Sequence, residues 1–225
     1  ASGGIAGEET TIGRRTGQLI AKKIGLQRRF LLLTSAESYA QDDWEVALRG
    51  ELGNQGSLVA ERLTVDSEEA AFAYCLELLA RDSRIDGIVC RTQAASRGAL
   101  RAVRALGLQT PIVGADFDDG IALGVMDSLN SSALDATKKE AFLKSFKGLF
   151  YAGGLAEIYS VLKGTHQTLA TPETYDMFSV TYDPAMIKAA VDDMIAHLIG
   201  ESVEKDHTIP VEVVDATNVE NYQGF

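Results

Sequence analysis

The sequence predicts an α/β protein of three layers, a parallel sheet with helices on both faces, and three observations predict it. Short apolar runs recur at residues 30–34, 58–65, 85–90 and 111–114. Amphipathic segments at 42–52, 68–80 and 95–106 separate them, each about three to four helical turns long. Strands joined by helix-length segments run parallel through right-handed crossovers, and such sheets are covered on both faces. Ligands of these sheets gather at the carboxyl ends of the strands. Four loops are thereby marked: 35–44, 66–67, 91–93 and 115–119.

Ahead of the first strand, Ile12, Leu19, Ile20 and Ile24 form a helical stripe over residues 12–24, with Thr11 placed to cap it and Gly25 to stop it. In the third repeat Ala95, Ala99, Ala102, Val103 and Leu106 share one helix face, opposite Arg97, Arg101 and Arg104, and Gly107 ends the helix. Residues 120–175 break the rhythm. Helices are expected there at 134–150 and 154–162, followed by a polar Thr/Pro stretch at 165–174. Lys138, Lys139, Lys144 and Lys147 alternate with Phe142, Phe146 and Phe150. That pattern fits an aromatic stripe laid on the protein's own core, or a surface for a partner or membrane. Residues 176–182 read as a strand by their β-branched and aromatic content. Asp183 and Pro184 open a helix whose stripe is Met186, Ala190, Met194 and Leu198, ended by Gly200. Residues 208–214 read as a strand whose Pro210 marks an edge or entry position, and 218–225 as a polar tail.

Composition narrows the function. The chain has 225 residues, 46% apolar and 24% charged, enough for one large domain or two lobes with real cores. No stretch approaches the roughly 20 apolar residues needed to cross a bilayer, so membrane insertion is not expected. No charged apolar leader opens the chain, and residues 1–7 read as a mature or truncated end. A net charge of −11 argues against nucleic acid as the main partner. The basic opening of Arg14, Arg15, Lys22, Lys23, Arg28 and Arg29 is surrounded by acids and reads as a solvated face. Cys75 and Cys90 stand among apolar neighbours and read as small buried hydrophobes. His166, His197 and His207 are scattered, so no metal site is expected. Neither a nucleophile elbow nor a phosphate loop is present. No catalytic residue, and no cofactor, is therefore expected. The carboxylates of residues 114–120 are the one group that a magnesium ion would suit.

Several segments carry a resemblance in order and spacing: residues 12–24, 30–34, 84–89, 98–103, 111–116, 180–184 and 209–214 with Asn218. Together they resemble the type I periplasmic substrate-binding proteins of the ribose/galactose kind, whose fold is shared with the effector domains of lac-repressor-like regulators. The resemblance implies one complete lobe plus part of a second. Residues 1–27 would be the helix and crossing of a partial first lobe, and 28–182 the second lobe with an insert at about 120–175. Residues 183–225 would be the returning helix and strand of the first lobe. The first half of the amino-terminal lobe has no counterpart in this chain. Crossings near 10–13, 182–184 and after Val203 would form the hinge.

The resemblance also implies a site. Asp116 ends a strand of the pattern Val-Gly-x-Asp and would take two ligand hydroxyls, or else cap the next helix. Thr92 and Gln93 stand where the family often has Asn-Asp. Tyr182 stands where many members have Gln before Asp-Pro, as a ligand contact or as a packed ring near the hinge. The family's arginine after the first strand of this lobe is missing. Asp42 and Asp43 invert its charge, and Trp44, the only tryptophan, lies beside them. This mouth would suit a polyol, an amino sugar or a cation, or mark a lost site. The implied function is capture of a sugar or polyol for an ABC transporter or membrane sensor kinase, in the periplasm or outside the cell. The alternatives are an effector domain of a transcriptional regulator and a protein-interaction module with a dead site.

Overall fold

The computed structural model describes residues 5–35, 43–82, 84–114, 120–145, 148–151, 156–166, 177–182, 185–202 and 211–222. Its elements run α1 (Ile5–Lys23), β1 (Arg29–Thr34), α2 (Asp43–Asn54), β2 (Leu58–Thr64), α3 (Glu68–Arg81), β3 (Gly87–Cys90), α4 (Gln93–Leu106) and β4 (Ile112–Gly114). There follow α5 (Gly120–Asn130), α6 (Ala136–Ser145), β5 (Gly148–Tyr151), α7 (Ala156–Leu162), β6 (Met177–Tyr182), α8 (Ala185–Leu198) and β7 (Val211–Val214).

The seven strands form one sheet in the order β2-β1-β3-β4-β5-β6-β7. Every pairing is parallel except the last, where β7 runs antiparallel to β6 at the edge. The edge position expected from the proline is the one observed. Successive side chains of a strand face opposite ways, so β1 feeds two cores. Phe30 and Leu32 join Ile20, Trp44, Leu48, Leu52, Val89 and Val113 beneath α1 and α2. Leu31 and Leu33 join the larger cluster beneath α3, α4, α5 and α7. The three layers follow directly. Cys75 and Cys90 are buried in the larger core and outside any disulfide, and burial pushes the Cys75 thiol up to about 12.

The insert departs from expectation. The segment expected as one helix over 134–150 divides into α6 and β5, so Phe142 and Phe150 do not share a helix face. Phe142 is buried, in keeping with the core reading, whereas Phe146 lies outside the described residues. Strand β5 inserts a parallel rung between β4 and β6, and α5, which had no signal in the apolar spacing read, supplies its crossover. The tail corrects a second expectation. Val219 is buried in a short 3-10 turn, and Tyr222 meets Tyr159 edge-on at 6.4 Å. An apolar anchor in a polar segment reverses the tail reading. In α8, Met194 and Leu198 are largely exposed together with Val191, Ile195 and Ile199, although spacing assigned a buried stripe.

The arginine face of α4 is paired. Arg97 and Arg101 both donate to Glu68 of α3, Arg97 reaches Asp127 of α5, and Arg104 donates to the Ser128 hydroxyl. Burial raises the Glu68 pKa, but the two guanidinium bonds outweigh it and hold the group below its ordinary value. Lys23 at the end of α1 donates to Asp215 just past β7, at 2.9 Å, and ties the two ends of the fold together. Burial acts to raise the Asp215 pKa, yet the bonds from Lys23 and Thr217 hold it at about 2.

Helices α3 and α4 touch at Gly98, where an added methyl would sit 2.5 Å from both the Ala71 Cβ and the Glu68 carbonyl. Gly98→Ala is expected to lower stability by about 1–3 kcal/mol through overpacking. Gly50→Ala in α2 meets nothing within 4 Å and should raise it by up to about 1 kcal/mol. Thermal unfolding of the two variants reads the opposite signs. The Asp215 carboxyl is depressed on folding from 3.8 to about 2, so its contribution is complete above pH ~4 and lost toward pH ~2. Asp215→Asn should cost about 1 kcal/mol at neutral pH. The gap from wild type should close by pH ~2 in pH-dependent urea titrations.

Candidate ligand site at the carboxyl edge of the sheet

Strand β1 ends at Thr34 and β3 at Cys90, which lies opposite Leu33. The Arg91 amide extends this ladder by donating to the Leu33 carbonyl at 2.9 Å. Thr34 and Arg91 are therefore neighbours on adjacent strands, about 4.8 Å apart in the pairing direction. By alternation both side chains fall on the face of Phe30, Leu32 and Val89, the α1/α2 side. Helix α2 begins beyond loop 35–42 and places Trp44 in that cluster, with no exposed surface. The guanidinium carbon of Arg91 lies 4.4 Å from the centre of the Trp44 ring.

Packing around Trp44 is tight. Gly13 of α1 faces the Trp44 carbonyl, and any larger residue there would collide with backbone. Next to it Glu45 is buried and accepts from Arg49 at 2.7 Å and from Arg62 of β2 at 2.9 Å. These bonds tie the first turn of α2 to the neighbouring edge strand. Two polar atoms of the cluster stand out. The Thr34 hydroxyl and the Trp44 indole N–H are both fully enclosed and meet no hydrogen-bond partner among the described residues. Buried polar groups are usually paired.

Sequence reasoning singled out six residues, and the structure distributes them. Thr92 caps α4, its hydroxyl accepting from the Ala95 amide at 3.2 Å. A hydroxyl oxygen has two lone pairs, so this bond leaves it one further acceptor position. Gln93 is the first residue of α4 and is exposed. Asp43 opens α2, also exposed, where a carboxylate suits the helix dipole. Trp44 lies beneath this edge, its ring covered by Arg91. Tyr182 ends β6, opposite Val211, at the same carboxyl edge as Thr34 and Arg91 because β1, β3, β4, β5 and β6 are parallel. Asp116, with Asp42, lies outside the described residues. Thr34 and Arg91 were not singled out. The signal available for them was a polar residue directly after an apolar run. Among the described residues no group of His, Cys, Asp and Glu could hold a metal ion, and no helix is long and apolar enough to cross a membrane.

No protein-family model and no curated protein matches the sequence. Solved structures do match. The solute-binding protein of an ABC transporter from Agrobacterium vitis, bound with α-D-tagatopyranose, is similar at a TM-score of 0.58 and 16% identity, over 97% of this chain and 61% of its own. A periplasmic ribose ABC transporter protein from Conexibacter woesei is similar at 0.56 and 14%, over 95% and 59%. The fructose-binding periplasmic domain of a hybrid two-component system is similar at 0.53 and 14%, over 95% and 58%. The chain thus spans about 60% of the length of these structures. In its order of strands and helices, this chain has the α/β fold of the type I periplasmic sugar-binding proteins.

Proposed function

We propose that this chain is a solute-capture module that holds a small polyhydroxylated ligand, a sugar or polyol, at the carboxyl edge of its sheet. The observation that carries the reading is the convergence of Thr34, Trp44, Arg91 and Thr92 on one stretch of that edge. Hydroxyl groups and one guanidinium are groups that recognise a sugar, because its hydroxyls need donors and acceptors, and the buried Trp44 ring holds that guanidinium in place. Asp116 and Gln93 would add acceptors, and Asp43 and Tyr182 would stand at its rim. The fold shared with sugar-binding proteins supports the same reading.

The module would deliver its ligand to an ABC permease or a membrane sensor kinase, in the periplasm or outside the cell. Closure of the lobes about the bound ligand would be the signal, since a ligand bridging both favours the closed state by its differential affinity.

A thermal-shift panel of D-ribose, D-allose, D-tagatose, D-arabinose, D-fructose, polyols and amino sugars tests this reading. A binder present at about 100-fold over its Kd should stabilise the protein by about 2.7 kcal/mol, a rise of several degrees in Tm. Silence across the panel would remove the proposal and leave an interaction module. Asp116→Ala is expected to abolish the shift while leaving the unliganded midpoint nearly unchanged, and a retained shift would remove Asp116 from the site.

A further inference from the structure

We propose that Arg91, seated on Trp44, is the specificity-determining contact of this site, the residue whose guanidinium grips two adjacent hydroxyls of the ligand. The inference rests on the reading of the sheet edge as a ligand site and adds a residue that the motif comparison did not single out. Three observations carry it.

The first is position. Arg91 follows β3 directly and its amide is locked to the Leu33 carbonyl, so the side chain leaves from a fixed point beside Thr34. The second is orientation. The guanidinium carbon stands 4.4 Å over a tryptophan ring that is itself immobilised in the core. Stacking holds the planar fork in one plane, so fewer rotamers are lost when its N–H groups engage a ligand. The third is the enclosed Thr34 hydroxyl and Trp44 N–H, which meet no partner among the described residues. A hydroxylated guest is the chemistry that satisfies both, since each sugar hydroxyl donates and accepts at once.

Charge decides between ligand classes. The sequence segments that follow β1 and β4 carry Asp42, Asp43, Asp116, Asp118 and Asp119, in a chain of net charge −11. That acidity disfavours a ligand bearing its own carboxylate or phosphate, whereas a neutral polyol can accept from Arg91 and donate to acids. Arg91 therefore stands in for the arginine missing from the first turn of α2, brought to the edge from the neighbouring strand instead.

Trp44 is the only tryptophan, so its emission reports on this stack alone. Titration of wild type with whichever of D-ribose, D-allose, D-tagatose, D-arabinose or D-fructose shifts its melting should change Trp44 emission in step with binding. Arg91→Met should weaken that sugar roughly 100-fold, and Arg91→Lys, which keeps charge and stem but loses the fork, roughly 10-fold. Removal of one ligand hydroxyl should cost wild type far more than it costs Arg91→Met. The Lys variant keeps the comparison available should the Met variant fold poorly. Wild-type affinity in both variants, with emission unmoved by a bound sugar, would overturn the role of Arg91 and leave the ligand site standing. A wild type that binds none of the sugars would take down the site and this inference together.

Discussion

Parallel strands cannot be joined by tight turns, and that constraint organises this molecule. Each parallel strand needs a crossover helix to return the chain to the same starting edge, so the carboxyl ends of β1 to β6 meet on one side. Strand β1 shows the energetic side of the constraint. Phe30, Leu31, Leu32 and Leu33 are all fully buried, two facing each way. At roughly 1.5–3 kcal/mol per large apolar side chain removed from water, these four residues hold two layers at once. The register that buries those four also places Thr34 beside Arg91.

Electrostatics shapes the periphery. Although the chain is strongly acidic, the arginines of α4 bind helices together rather than standing in solvent. One carboxylate, Glu68, accepts from two of them, which fixes α3 against α4 as Gly98 brings the backbones close. Arg62 of β2 does the same for Glu45 of α2, whose other partner, Arg49, lies one turn along its own helix. Interaction across elements, not along one helix, is what makes such pairs worthwhile, since exposed pairs alone contribute little.

Much of this architecture is legible in residue patterns. The strands at 30–34, 58–64, 87–90 and 112–114 follow from short apolar runs, and α4 from its alternation of small apolar residues with arginines. Gly107, in the left-handed region, ends that helix as its position suggested. Legibility fails where local pattern and tertiary role part company. Residues 134–150 keep helical spacing across a segment that the sheet requires as a strand, because β4 and β6 need a partner between them. Val219 is one apolar residue in a polar stretch, and single anchors leave no periodicity. For the candidate site, Thr92 was singled out from motif and Trp44 from rarity. Arg91 was passed over because nothing in a linear reading shows that a residue after one strand reaches a ring on a helix nearly fifty positions earlier.

The strand order has a consequence for how the molecule is made. After β1 and β2 pair, β3, β4, β5, β6 and β7 each attach to the side left open by the strand before, and none has to wedge between two already joined. A ribosome releasing this chain from its amino terminus therefore delivers the strands in the order in which the growing sheet can accept them. The antiparallel β7 comes last, and Asp215, directly behind it, returns to Lys23 at the end of the first helix. The last strand of this sheet is thereby latched to its first helix.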